Sequence, residues 1–157
     1  MIRAATPADV PALHALIRDL ARYEKLEHAH VGTAANLEAH LFGARRYCEA
    51  LVAESVQSAR VVGFALFFHN YSTFLSLPGM YLEDLFVLPD ERRRGHGRDL
   101  FRAVARLAVE RGCGRFEWAV LHWNEPAIRF YKALGALPLD EWGLFRLSGE
   151  ALANLAG

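Results

Sequence analysis

Between Asp90 and Leu100 the chain reads DERRRGHGRDL, with four arginines and two glycines in eleven residues. An apolar run, LFVLP, precedes this stretch and a segment of helical periodicity follows it. A strand, a glycine-bearing loop and a helix start, in that order, make an anion site. The free N–H groups of the first helical turn point outward, and the helix dipole favours negative charge there. Gly95 and Gly97 let the backbone around His96 fold into a concave nest of donors. Arg92, Arg93, Arg94 and Arg98 add planar donors suited to phosphate. The chemistry this implies is capture of a pyrophosphate beside a strand end. The loop is neither G-x-x-x-x-G-K-[ST] nor the three-glycine dinucleotide fingerprint. Read without its context, it is equally an exposed basic turn.

Two further positions carry chemistry. Glu83, in YLEDLFV, interrupts an apolar strand, where a carboxylate is costly unless it is paired or needed. On a regular strand the neighbouring Asp84 points to the opposite face. The plainer alternative for Glu83 is an edge carboxylate with an arginine partner. Tyr131 lies seven residues after Asn124, two helical turns on, so the two share a side. Its plainer alternative is a core tyrosine in a stripe with Ala127, Phe130 and Leu134. His28 and His30 lie in a polar loop with no cysteine nearby, so no metal is expected there. Cys113 follows a helix end and nothing marks it as a nucleophile.

Elements that position these residues can be read from period and punctuation. MIRAA is a short strand. Thr6, Pro7 and Asp9 signal a helix start, and Val10, Leu13, Ile17 and Leu20 recur at helical spacing, predicting a helix over 7–22. A weaker helix is predicted at about 33–43. Strands are predicted at 47–55, 60–70 and 80–88, with YSTFLSLPG as a loop. The helix after the arginine-glycine loop runs from about 96 to 111 and stops at Gly112 and Gly114. A strand over 115–121 and a short helix capped by Asn124 and stopped by Gly135 follow. WGLFRLS reads as a last strand before a helical tail. The order predicts one α/β domain over 1–157, a mixed sheet with helices on both faces.

Composition excludes several classes. The chain has 157 residues, 53% hydrophobic and 23% charged, as in ordinary globular domains. Eighteen basic and eighteen acidic residues balance, against a general nucleic-acid partner. No apolar run reaches the roughly 18 residues of a membrane span, so no membrane partner is expected. The N-terminus lacks an apolar signal core. Two cysteines make no disulfide framework and fit a reducing cytoplasm.

Together YLEDLFV, RRRGHG and WNEPAIRFYKALGA resemble the GNAT N-acetyltransferase superfamily, in particular its diamine and polyamine branch with thialysine- and ornithine-type members. The likeness covers nearly the whole chain. It implies a single GNAT-like domain with a mixed, mostly antiparallel sheet, and acetyl-CoA as co-substrate. It implies a cofactor surface made by the strand backbone of Leu85, Phe86 and Val87, the loop residues Arg92 to Arg98, and Asn124, Ala127 and Tyr131. Tyr131 is then the acid for the leaving thiolate, and Glu83 the base and amine ligand. Positions matching the branch's acceptor ligands are Tyr23, Glu24, Glu117, Trp118 and Glu141, with HNYSTFLSLPG lining the acceptor cleft. The branch often has glycine where Arg93 stands; three consecutive arginines here offer a contact to the CoA ribose phosphate, or a solvated face. Homodimers are common in the branch, and the apolar WGLFRLS suits one. The expected reaction is direct acetylation of a small cationic amine. The alternatives are a protein N-terminus or lysine as acceptor, or a CoA-binding sensor without turnover.

Overall fold

The computed structural model describes all residues from Met1 to Gly157. Contacts group them into two units, Met1–Ala119 and Val120–Gly157. The first unit holds β1 (Ile2–Ala4), α1 (Val10–Tyr23), α2 (Ala34–Phe42), β2 (Glu49–Glu54), β3 (Val61–Ser72), β4 (Leu77–Val87), α3 (His96–Glu110) and β5 (Arg115–Trp118). The second holds α4 (Glu125–Ala133) and α5 (Gly149–Ala156).

Five strands form one sheet in sequence order, β1-β2-β3-β4-β5. Its ladders are antiparallel except for the last, β4 with β5. The parallel pair needs a crossover, and α3 supplies it. Leu13, Leu16 and Leu20 of α1 and Leu41 of α2 pack with Ala50, Val52, Phe64, Leu66 and Phe86 on one face of the sheet. Helix α3 covers the other face with Leu100, Phe101, Val104 and Ala108. Phe101 packs at 4.9 Å from the ring centroids of both Phe116 and Trp118 on β5.

The start of α1 is fixed by a carboxylate. Asp9 accepts from the Thr6 backbone N–H at 2.7 Å and from the Thr6 hydroxyl at 2.9 Å. Arg3 on β1 reaches the same carboxylate at 2.7 and 2.9 Å, and Glu54 on β2 at 2.8 Å. One guanidinium thus ties β1, β2 and the entry to α1 together. Its hydrogen bonds hold the Asp9 carboxyl well below the usual carboxylate range, despite an opposing push from burial.

Several expectations from the sequence are corrected. The predicted helix over 7–22 opens with a separate 3-10 turn, Pro7–Asp9, before α1. YSTFLSLPG is mostly strand: β3 runs to Ser72 and β4 starts at Leu77, leaving only residues 73–76 as the turn. That turn lies at the opposite end of β4 from Glu83, about 20 Å away at roughly 3.3 Å per residue. Within this chain it therefore does not line a cleft at Glu83. The largest correction is the final strand. Residues 142–148 belong to no ladder, and Trp142, Leu144, Phe145 and Leu147 are exposed. Apolar residues in a row do not make a strand without a neighbouring edge to take its N–H and C=O groups. For the same reason the strand predicted over 115–121 stops at Trp118, where the ladder with β4 ends.

Candidate functional site

The site is organised by a single register shift. Along the β3–β4 ladder, Leu66 faces Asp84 but Phe67 faces Leu82, so Glu83 is an extra residue with no partner. This is a β-bulge. Residues opposite one another in a ladder share a face. Phe64 and Phe86 are paired and both pack under α1. Leu66 packs there too, so its partner Asp84 lies on that face. Without the bulge, Asp84 would share the face of Leu82, beneath α3. The expectation that Asp84 points away from the acceptor side therefore fails, because the strand is not regular at that point.

The bulge concentrates carboxylates. Burial, with the negative charges of Glu83 and Glu24 adding to it, pushes the Asp84 carboxyl up to about 7. Glu24, at the C-cap of α1, is itself shifted upward by burial. Glu83 is exposed, and its charge also raises the Cys48 thiol and the Tyr81 phenol, after burial in both cases. The charges of Glu83 and Glu24 thus both act on Asp84, and an ammonium group beside it would offset that repulsion and its burial. Glu117, opposite Tyr81, is already engaged: Asn70 donates to it at 3.1 Å and Arg115 pairs with it at 3.0 Å. Trp118 turns to the other face, edge-on to Phe101.

Past the bulge, β4 loses one neighbour. The β5 ladder spans only Gly79–Leu82 on β4, while Asp84 to Val87 remain paired with β3. The second edge of Leu85, Phe86 and Val87 carries no strand. An extended, amide-bearing arm can pair with such an edge. Phe86 and Val87 bury their side chains and Leu85 is half-buried, so these positions offer backbone rather than side chains.

The arginine-glycine loop follows directly. Gly95 caps α3 with φ of 90°, a conformation that side chains disfavour. Asp99 N–H is the first to donate within the helix, to Gly95 O, so the N–H groups of His96, Gly97 and Arg98 have no acceptor in the helix itself. The four arginines do not act alike. Arg93 and Arg98 are exposed and make no ion pair within the chain. Arg94 pairs with the buried carboxylate of Glu91 at 3.2 Å and donates to Gln57 at 3.3 Å. Arg92 folds back: its Nε donates to Val87 O at 3.0 Å, and its guanidinium lies 4.7 Å above the Tyr23 ring. Arg93 has φ of 63°, the left-handed region. Glycine is favoured there, and an arginine accepts strain to keep its charge at the rim. The donors, the glycine cap and the two uncommitted arginines fit a pyrophosphate and a further phosphate.

In the second unit, Asn124 is buried and its side chain accepts from Ala127 N at 3.4 Å, capping α4. Pro126 occupies its first turn and Gly135, with φ of 88°, follows its end. Tyr131 is half-buried, with its ring 5.2 Å from that of Phe130. Glu141 is exposed between α4 and α5. Neither the facing of Asp84 nor the inward turn of Arg92 is legible from residue types, since one follows from the β3–β4 register and the other from Tyr23, far off in the chain.

Comparison with known proteins identifies the family and the fold. The model of the acetyltransferase (GNAT) family matches residues 13–136. L-ornithine N5-acetyltransferase of Arabidopsis thaliana is 36% identical, with 96% of this chain and 85% of that protein covered. Thialysine N-epsilon-acetyltransferase of Mus musculus is 39% identical, with 99% and 96% covered. An integron cassette protein from Vibrio cholerae has a solved structure that superimposes with a TM-score of 0.82 at 26% identity, covering 99% of this chain and 96% of that one. No helix of this chain is long and apolar enough to cross a membrane. With a family match over residues 13–136 and full-length relatives of this similarity, the chain belongs to the acetyltransferase (GNAT) family and is an acetyl-CoA-dependent N-acetyltransferase.

Proposed function

We propose that this enzyme acetylates a primary amine of a small cationic substrate, a diamine, polyamine or basic amino acid, by direct attack in a ternary complex. The observation that carries this reading is the bulge that turns Asp84 to the α1 side, where the charges of both Glu83 and Glu24 act on it. Three carboxylates beside a strand edge suit an ammonium ion. The names of the relatives, ornithine and thialysine acetyltransferases, agree with a basic amino acid.

Taking residues 1–157 as one catalytic domain, the roles divide by chemistry. An alkylamine has a pKa of about 10.4, so only about one molecule in a thousand or fewer is nucleophilic at pH 7. Glu83 and Asp84 hold the ammonium and take its proton, directly or through water. Of the two, Asp84 titrates where a base is useful. The amine lone pair then attacks the thioester carbonyl, the C–S bond breaks, and the Tyr131 phenol gives its proton to the leaving thiolate. The second proton, shed by the acylated nitrogen, passes through water to restore the phenol. The loop of Arg92 to Arg98 and the helix start it caps hold the pyrophosphate. Leu85 to Val87 carry the pantetheine arm, and Asn124 and Ala127 are assigned to the cofactor on the resemblance alone. Tyr23, Glu24 and, from the resemblance, Glu117, Trp118 and Glu141 serve the acceptor, although Glu117 must first part from Arg115 and Trp118 faces α3. Unpaired Cys48 and Cys113 agree with a reducing, cytoplasmic setting.

We also propose a homodimer, with the exposed Trp142, Leu144, Phe145 and Leu147 as the surface that a second copy covers. Light scattering after gel filtration should give twice the 17.6 kDa chain mass, and Phe145→Glu with Leu144→Glu should return it to one. A wild-type mass of one chain would refute the dimer.

CoA release should be measured with diamines, polyamines, lysine analogues, ornithine and a lysine peptide. Turnover is expected with the small cations and not with the peptide; the reverse would move the acceptor to proteins, and CoA binding without any turnover would make the chain a sensor. Tyr131→Phe should lower kcat about 100-fold while acetyl-CoA affinity holds, as expected for loss of a general acid. Unchanged kcat would remove Tyr131 from that role. The low-pH limb of kcat/KM for the amine should centre near 7, the value set for Asp84. Asp84→Asn should flatten that limb. Glu83→Gln should move it to lower pH, because a negative neighbour of Asp84 is lost. If instead Glu83→Gln flattens the limb and Asp84→Asn leaves it, Glu83 is the base.

A further inference from the structure

Arg92 opens the loop assigned to the pyrophosphate, but its side chain leaves that loop. Its Nε donates to the Val87 carbonyl at 3.0 Å. Its guanidinium carbon lies 4.7 Å from the Tyr23 ring centroid and 5.5 Å from that of Phe86. Those two rings are 6.5 Å apart, so the arginine caps an aromatic pair that joins α1 to β4. Tyr23 is the last residue of α1 and Glu24 is its C-cap. The chain then turns sharply at Lys25, with φ of 61°. One side chain therefore touches three parts at once: the loop through its own backbone, the strand edge through Val87 O, and the helix end that presents Glu24.

We propose that Arg92 is a positioning residue through which the acetyl-CoA site and the amine site bind with positive coupling. The proposal rests on the functional reading above, in which the loop takes the pyrophosphate and Glu24 faces the amine. A ligand held by the backbone at 93–97 restrains the adjoining Arg92. The restrained guanidinium fixes Tyr23, and with it the carboxylate one residue on. An amine arriving second then has less chain to order, which tightens its binding without any new contact. Linkage makes the effect reciprocal: the amine must tighten CoA by the same factor. The geometry demands arginine. A planar guanidinium donates through Nε while stacking on a ring; a lysine ammonium makes one such contact or the other. This separates Arg92 from Arg93 and Arg98, whose exposed charges act on the ligand itself.

Calorimetry tests this on the intact chain, with CoA as the unreactive partner and putrescine as the amine. Each affinity is measured alone and with the other ligand saturating. The wild type should show coupling of about 5-fold or more in both directions, the low end of usual coupling factors. Arg92→Lys should bring the factor close to one and raise the amine KM more than it lowers kcat. Tyr23→Leu should do the same from the other side of the stack, and it serves if Arg92→Lys loses too much stability for titration. Arg98→Gln should weaken CoA yet keep the coupling. Binding of both ligands with no coupling in the wild type, or with coupling intact in Arg92→Lys and Tyr23→Leu, overturns the clamp and leaves the functional reading standing. A wild type that binds no CoA sinks that reading, and the clamp with it.

Discussion

One extra residue in β4 controls the chemistry of this fold. Side chains alternate along a strand, so a single insertion reverses the facing of all that follow it. Before the bulge, Leu82 faces α3; after it, Asp84 looks toward α1, opposite Leu66, where a regular strand would put Glu83. The same place marks the end of the β5 ladder. A strand that bends at a bulge no longer runs alongside its parallel neighbour. The bulge thus delivers two things that a regular sheet forbids: an open strand edge inside a sheet, and adjacent carboxylates sharing one region. Both are what a ternary complex of an amide-bearing thioester and an ammonium ion requires.

A net charge of zero conceals a strong division of charge. Glu24, Glu83 and Asp84 stand on one side of β4 and its end, while the four arginines of the loop follow within a few residues of Val87. Only two of those arginines face outward uncommitted. Arg94 is held by Glu91, and Arg92 is spent on the Val87 carbonyl and two rings. Such a layout suits one ligand rich in phosphate and another that is cationic. It also explains why counting arginines in the sequence overstates the pyrophosphate site. In the proposed reading the backbone nest at Gly95 does the directional binding, and the side chains divide between that task and holding the loop in place.

Much of this was legible in the sequence because the cues are local. Asn124 capping α4, Gly95 before α3 and the apolar stripe of α1 each act within a turn or two, so their residue types suffice. The loop motif and its strand and helix were equally clear. What escaped detection depends on partners distant in sequence. The bulge is a property of the β3–β4 register, and no residue in YLEDLFV announces it. Arg92 resembles its neighbours until Tyr23, nearly seventy positions earlier, comes beneath it. WGLFRLS carries strand composition, yet a strand exists only where another edge receives it.

The raised carboxyl of Asp84 links stability to function with a definite sign. An unfolded aspartate titrates at about 3.9. In the fold, burial and the charges of Glu83 and Glu24 hold Asp84 near 7. The folded chain therefore keeps a proton that the unfolded chain has lost. Asp84's contribution to stability is full below the unfolded value and declines as pH rises from there through 7. Near neutral pH the fold therefore carries a carboxyl whose ionised form is disfavoured by burial and by the charges of Glu83 and Glu24. Arg3 and Asp9 at the start of α1 show the opposite case, a carboxylate whose hydrogen bonds keep it ionised and whose stabilisation is lost only in acid. Compensation is thus full at the structural joint and absent at the bulge of β4. Under the proposed function the missing counter-charge there is the one an ammonium substrate brings, so the destabilisation of the free site would become selectivity for a cation.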